Sequence, residues 1–129
     1  MTAEFTTSLD VEMVSDTEDT WRLKSPLVFQ SGILGTITVP VGFETDFASV
    51  PRVPLAFWLC GDTAERPAVV HDYLYGCADV TREQADDVLY EAMAAVGVPW
   101  WRRVLIYRAV RLFAGSHKKD VTTLKGATT

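Results

Sequence analysis

Cysteine and histidine are scarce, with two of each in 129 residues. The cysteines, Cys60 and Cys77, form no C-x-x-C pair, and one pair is too few for a disulfide scaffold. Both read as buried or half-buried thiols. Basic charge is also short. Lys and Arg number 12 against 17 Asp and Glu, for a formal net charge of -5. That balance argues against broad, salt-driven nucleic-acid binding, so no nucleic-acid partner is expected. No apolar run reaches the roughly 18 residues of a membrane span. The opening MTAEFTTSLD has neither a basic nor an apolar stretch of the kind a signal peptide carries, so none is expected. Internal repeats and low-complexity tracts are missing. No serine sits in a G-x-S-x-G context, which leaves Ser49 a weak candidate nucleophile.

Hydrophobic residues are plentiful at 48% of the chain, and four Trp, four Tyr and six Phe can supply a core, an interface, or both. The length suits one domain with a real core. We expect a single α+β domain over residues 1–116 and a polar tail over 117–129. The first half alternates apolar and polar residues, at Leu9, Val11 and Met13, at Trp21 and Leu23, and from Ile37 through Val39 and Val41 to Phe43. Period-two alternation predicts strands with one buried face, here a small antiparallel sheet or meander. Residues 44–62 have no clean period, and Pro51 and Pro54 exclude a central strand or helix interior. An irregular loop is expected there, carrying polar residues beside aromatics.

Three packed helices are predicted in the second half. Pro67 suits a first helical turn, with the helix running to Cys77. On it Val70, Leu74 and Cys77 share one stripe, while Ala68, His71, Asp72 and Tyr75 share another. Thr81 and Gln84 make a capping-box pattern for the next helix, whose apolar stripe is Ala85, Val88, Leu89, Ala92, Met93 and Val96. Gly97 ends it. Pro99 opens the last helix, which runs to about Phe113. That helix is apolar nearly all round, broken by Arg102, Arg103, Arg108 and Arg111, and so must be buried or face a partner.

Candidate chemistry gathers around His71, because His117 lies in the polar tail. Adjacent helical side chains diverge by about 100°, so His71 and Asp72 cannot form a dyad with each other. Asp86 is the better partner. A tight turn at Gly76–Val80 makes the two helices a hairpin, and an aspartate beside Ala85 and Leu89 can orient a histidine ring as in a catalytic dyad. Asp87 should face more outward. Asp46 and Asp72 together suggest an oxygen-rich cation site. Calcium suits it better than zinc, with one histidine near and no cysteine pair. Plainer roles compete. Asp46 can form an Asx-turn near Ser49, Asp86 can complement a helix N-terminus, and Tyr75 can simply pack.

The segments VPVGFETDFASVPR, VVHDYLYG, TREQADDVLYEAM and GVPWWRRVLIYRAVRLF resemble the phage-associated domain-of-unknown-function family 1353. The resemblance implies a phage or prophage origin, hence the host cytoplasm or a virion, and names no activity. More locally, HDYLY followed by ADDVLYEAM is similar to the paired helices of small calcium-dependent phospholipases. That likeness implies His71 as the residue activating water, Asp86 as its orienter, and calcium held by Asp72 and the Asp46 loop; Ser49 and Tyr75 are expected as structural or site-supporting residues. The disulfides, signal peptide and glycine-rich calcium loop of those enzymes are absent from this sequence. Two expectations follow. One is a metal-assisted hydrolase acting on a lipid or cell-envelope ester or amide. The other is a non-enzymatic virion or assembly protein of tail, neck or baseplate. On that reading Trp100, Trp101, Arg102 and Arg103 mark the contact with other phage proteins or a second copy.

Overall fold

The computed structural model describes residues 3–14, 21–45 and 65–113. Among the described residues it is α+β, with two three-stranded antiparallel sheets followed by three helices. The strands are β1 (Glu4–Phe5), β2 (Val11–Met13), β3 (Trp21–Leu23), β4 (Leu27–Ser31), β5 (Gly35–Val39) and β6 (Glu44–Thr45). One sheet has the order β1-β4-β5 and the other β2-β3-β6. The sequence suggested a single sheet, and the split has a local cause. Alternation from Ile37 to Phe43 looks like one strand, yet β5 stops at Val39 because Pro40 has no N–H for a ladder. The chain then turns, with Phe43 N–H donating to the Pro40 carbonyl at 3.2 Å. Gly42 has a φ of 90°, the positive value a type II turn requires at its third residue. Val41, at the turn, is exposed.

The β4–β5 hairpin provides the inner wall. Leu27 and Phe29 pair with Val39 and Ile37, and all four are fully buried. Its tip is held from a distance. Ser31 Oγ donates to Glu91 Oε1 at 2.6 Å, and Gly32 N–H donates to Glu91 Oε2 at 2.7 Å. The same hydroxyl accepts from the N–H groups of Ile33 and Leu34, so one serine closes the turn and receives the helix.

The helices are α1 (Glu65–Tyr75), α2 (Arg82–Ala95) and α3 (Trp100–Phe113). Helix α1 places Val69, Val70, Tyr73 and Leu74 against β4 and β5, with Val80, Ala85, Val88 and Ala92 completing that core. It ends two residues before Cys77, whose buried thiol donates to the Tyr73 carbonyl at 3.4 Å. Both halves of the capping box form at the start of α2: Gln84 N–H donates to Thr81 Oγ1, and Thr81 N–H to the Gln84 side chain. The far end of α2 is a Schellman turn. Gly97, at φ 90°, donates to Ala94 O, and Val98 donates to Met93 O. Val98 and Met93 then pack together, with Leu89 on α2 and Ile106 and Val110 on α3. Helix α3 therefore rests on α2 and leaves its other side outward.

Candidate functional site

Asp86 is the centre of the site. It is 0% exposed, and among the described residues its side chain is reached by donors from helix side chains. His71 Nε2 lies 2.7 Å from Asp86 Oδ1, and the Tyr75 hydroxyl donates to the same oxygen at 3.0 Å. Arg111 Nη1 donates to Oδ2 at 3.0 Å. The four residues link all three helices, since His71 and Tyr75 are one turn apart on α1, Asp86 is on α2 and Arg111 on α3. The α1–α2 turn makes this possible, with Gly76 and Cys77 donating to the Tyr73 and Leu74 carbonyls and reversing the chain in a few residues.

The geometry fixes the histidine tautomer. A carboxylate only accepts hydrogen bonds, so the nitrogen facing it carries the hydrogen. In a neutral ring the hydrogen is then on Nε2 and the lone pair on Nδ1. His71 is 1% exposed, and its Nδ1 has no hydrogen-bond partner among the described residues. The Tyr75 ring lies against the imidazole, with centroids 4.4 Å apart.

Asp86 also acts on its neighbours. The Tyr75 phenol is pushed well above its ordinary pKa, first by burial and then by the Asp86 charge and its hydrogen bond. Arg111 is raised as well, chiefly by its hydrogen bond to Asp86. Burial lifts Tyr73 to about 12. A folded-state pKa raised above the unfolded value stabilises the fold fully below the unfolded pKa, near 10 for tyrosine, and loses that contribution as pH rises through the folded value. Urea unfolding should therefore show stability declining above pH about 10. Tyr75→Phe should flatten the decline and lower neutral-pH stability by about 1 kcal/mol. An equally steep alkaline decline in the variant would contradict the Tyr75–Asp86 bond.

The structure thus brings His71, Asp86 and Tyr75 together. Asp72 is half-buried on α1, turned from His71 by its place in the helix. Asp46 and Ser49 lie outside the described residues, as do Cys60 and His117. Trp100 and Trp101 are exposed, at 67% and 44%. Arg102 stacks over the Trp101 ring at 5.1 Å, and Arg103 over Tyr90 at 5.1 Å. Arg111 was not a candidate from sequence, where it read only as a break in an apolar helix. The signal was available: a buried aspartate on an apolar stripe needs compensation, and α3 carries no acidic residue. Asp87, expected to face outward, is half-buried and accepts from the Tyr107 hydroxyl at 2.7 Å.

Residues 21–110 match the family model described as protein of unknown function, DUF1353. The chain belongs to this family. The matched span includes His71, Asp72, Tyr75 and Asp86, together with Asp46, Ser49 and the Trp100–Arg103 run, while Arg111 falls one residue beyond it. No curated protein and no solved structure matches the chain. Among the described residues no helix is long and apolar enough to cross a membrane.

Proposed function

We propose that the chain is a hydrolase in which His71 activates water and Asp86 positions the His71 ring. The observation that supports this is the unequal state of the two ring nitrogens. Nε2 is held by Asp86, and Nδ1 is buried with no hydrogen-bond partner among the described residues. A histidine kept for stability alone is expected to have both nitrogens satisfied, because an unsatisfied buried polar atom costs about 1–3 kcal/mol. A lone-pair nitrogen backed by a carboxylate is what general-base catalysis needs. In the reaction Nδ1 takes a proton from water, the resulting hydroxide attacks an ester or amide carbonyl, and the proton passes to the departing alcohol or amine. Asp86, held by Tyr75 and Arg111, stabilises the imidazolium formed in between. Because His71 is 1% exposed, the reaction requires a local opening around the ring.

The proposed substrates are lipid or cell-envelope esters and amides, met by a phage or prophage protein in the host cytoplasm or the virion. Calcium held by Asp72 and Asp46 belongs to the same proposal. Among the described residues no group of three or more His, Cys, Asp or Glu side chains is placed to hold a metal, so no step above is routed through it. The test is hydrolysis of short-chain esters, phospholipid vesicles and peptidoglycan amides, each with and without calcium. Turnover that vanishes in His71→Gln supports the reading. Turnover unaffected by that change, or none on any of the three classes, contradicts it.

A second reading rests on a different observation. Trp100, Trp101, Leu105 and Leu112 are all exposed on α3. Trp101, Leu105 and Leu112 follow one helical stripe, and Trp and Arg are enriched where interfaces concentrate their energy. On this reading the chain is a virion or assembly protein that docks another phage protein or a second copy through α3. Replacing Trp100 and Trp101 together by Ala should then weaken association in sedimentation while leaving the fold intact. Unchanged association would count against it.

A further inference from the structure

We infer that the cleft between the β4–β5 hairpin tip, α2 and α3 is a binding site for an organic ammonium group. The cleft has a volume of about 390 Å³ and is lined by Ile33, Asp87, Tyr90, Glu91 and Tyr107. It is separate from the His71 network, because Asp86 points inward from α2 while Asp87, one residue on, is turned about 100° toward the cleft. The inference does not depend on the hydrolase reading.

Three features select the ligand class. The first is charge: among the described residues the lining holds two carboxylates and no cationic side chain, with Arg103 adjacent over Tyr90. Asp87 and Glu91 are four residues apart on one helix face, where like charges destabilise a helix unless something offsets them. The second is the aromatic wall. Tyr90 and Tyr107 both line the cleft and meet edge to face, with centroids 5.9 Å apart at 85°. Tyrosine rings attract cations through their faces, and Arg103, 5.1 Å over Tyr90, is a resident cation with which an ammonium ligand must share that ring or which it must displace. The third is the state of the carboxylate oxygens. Both Glu91 oxygens accept hydrogen bonds from the hairpin tip, and Asp87 Oδ1 accepts one from Tyr107. Those bonds hold the wall rigid.

They also exclude the obvious competitor. Calcium wants six to eight oxygen ligands stripped for it, and no group of three or more metal-ligating side chains occurs among the described residues. A weakly hydrated ammonium with methyl or methylene groups makes the opposite demand. It needs ring faces and an apolar side chain such as Ile33 for its carbons, and fixed negative charge nearby without direct coordination.

The experiment titrates the full chain, followed by amide NMR shifts, with choline and with dimethylbutanol, its uncharged carbon isostere. The shapes match, so only the charge differs. Choline should shift the amides of residues 87–91 and 107 and bind about tenfold more tightly than the isostere. Asp87→Asn, an isosteric change on a half-buried helix face, should erase that preference while the melting curve shows the fold retained. Should that variant fold poorly, Tyr90→Leu provides the second test and should weaken choline more than dimethylbutanol. A capped lysine forms a further arm. Its strongly hydrated primary ammonium should bind more weakly than choline, and tighter binding of lysine would overturn the selection for a weakly hydrated group. Equal binding of choline and dimethylbutanol overturns the inference. So does the absence of any shift up to about 50 mM, or a preference for choline that survives in both variants.

Discussion

Asp86→Ala is expected to cost about 3–5 kcal/mol of folding stability, the range for breaking a buried ion pair by removing one partner. Three donors lose their acceptor together. His71 and Tyr75 are held on α1 and cannot readily reach another, whereas the Arg111 side chain is 32% exposed and can turn toward water. That freedom places the loss toward the lower end of the range. Against a total stability of about 5–15 kcal/mol for a domain, even the lower figure is severe. Arg111→Met should also destabilise, by less, because Asp86 keeps the His71 and Tyr75 donors. Urea unfolding of both variants checks the order. An Asp86→Ala protein within about 1 kcal/mol of the parent would show that the network carries little of the stability.

His71→Gln is expected to separate chemistry from folding. The glutamine amide can still donate toward Asp86, so stability should fall by no more than about 1–2 kcal/mol. Glutamine has no basic nitrogen, so hydrolysis should drop by about 10²–10⁴-fold in kcat, the usual contribution of a general base. Asp86→Asn should lower kcat too, but with a clear loss of stability, because an amide compensates Arg111 poorly. A purely structural histidine gives the opposite result, in which activity follows the folded fraction in every variant.

Much of this was legible in the sequence, because local chemistry dictated it. Thr81 and Gln84 predict the capping box, Gly97 the end of α2, and the apolar stripe of α2 its packing on α1 and α3. The tight turn after Tyr75 predicted the approach of His71 and Asp86, and the two groups stand 2.7 Å apart. What escaped was non-local. Strand β4, the middle of its sheet, begins with the contiguous apolar run Leu27-Val28-Phe29, which hides its alternation. The Glu91 clamp joins residues about sixty positions apart, and Ser31 and Gly32 read only as a turn. Arg111 looked like an interruption because its purpose lies on another helix. Asp46 and Ser49 lie outside the described residues, so their part in the site rests on sequence alone.

The central claim is that Asp86 holds the hydrogen on His71 Nε2 and leaves Nδ1 as the working lone pair. Nitrogen-15 NMR of the two ring nitrogens tests it without knowledge of any substrate. In the uncharged ring the spectrum should show one fixed tautomer, protonated at Nε2 and unprotonated at Nδ1. That Nε2 hydrogen should exchange slowly with water, since the ring is buried, and the preference should disappear in Asp86→Asn. A ring protonated at Nδ1, or one averaging between both tautomers as a solvated histidine does, would contradict the account.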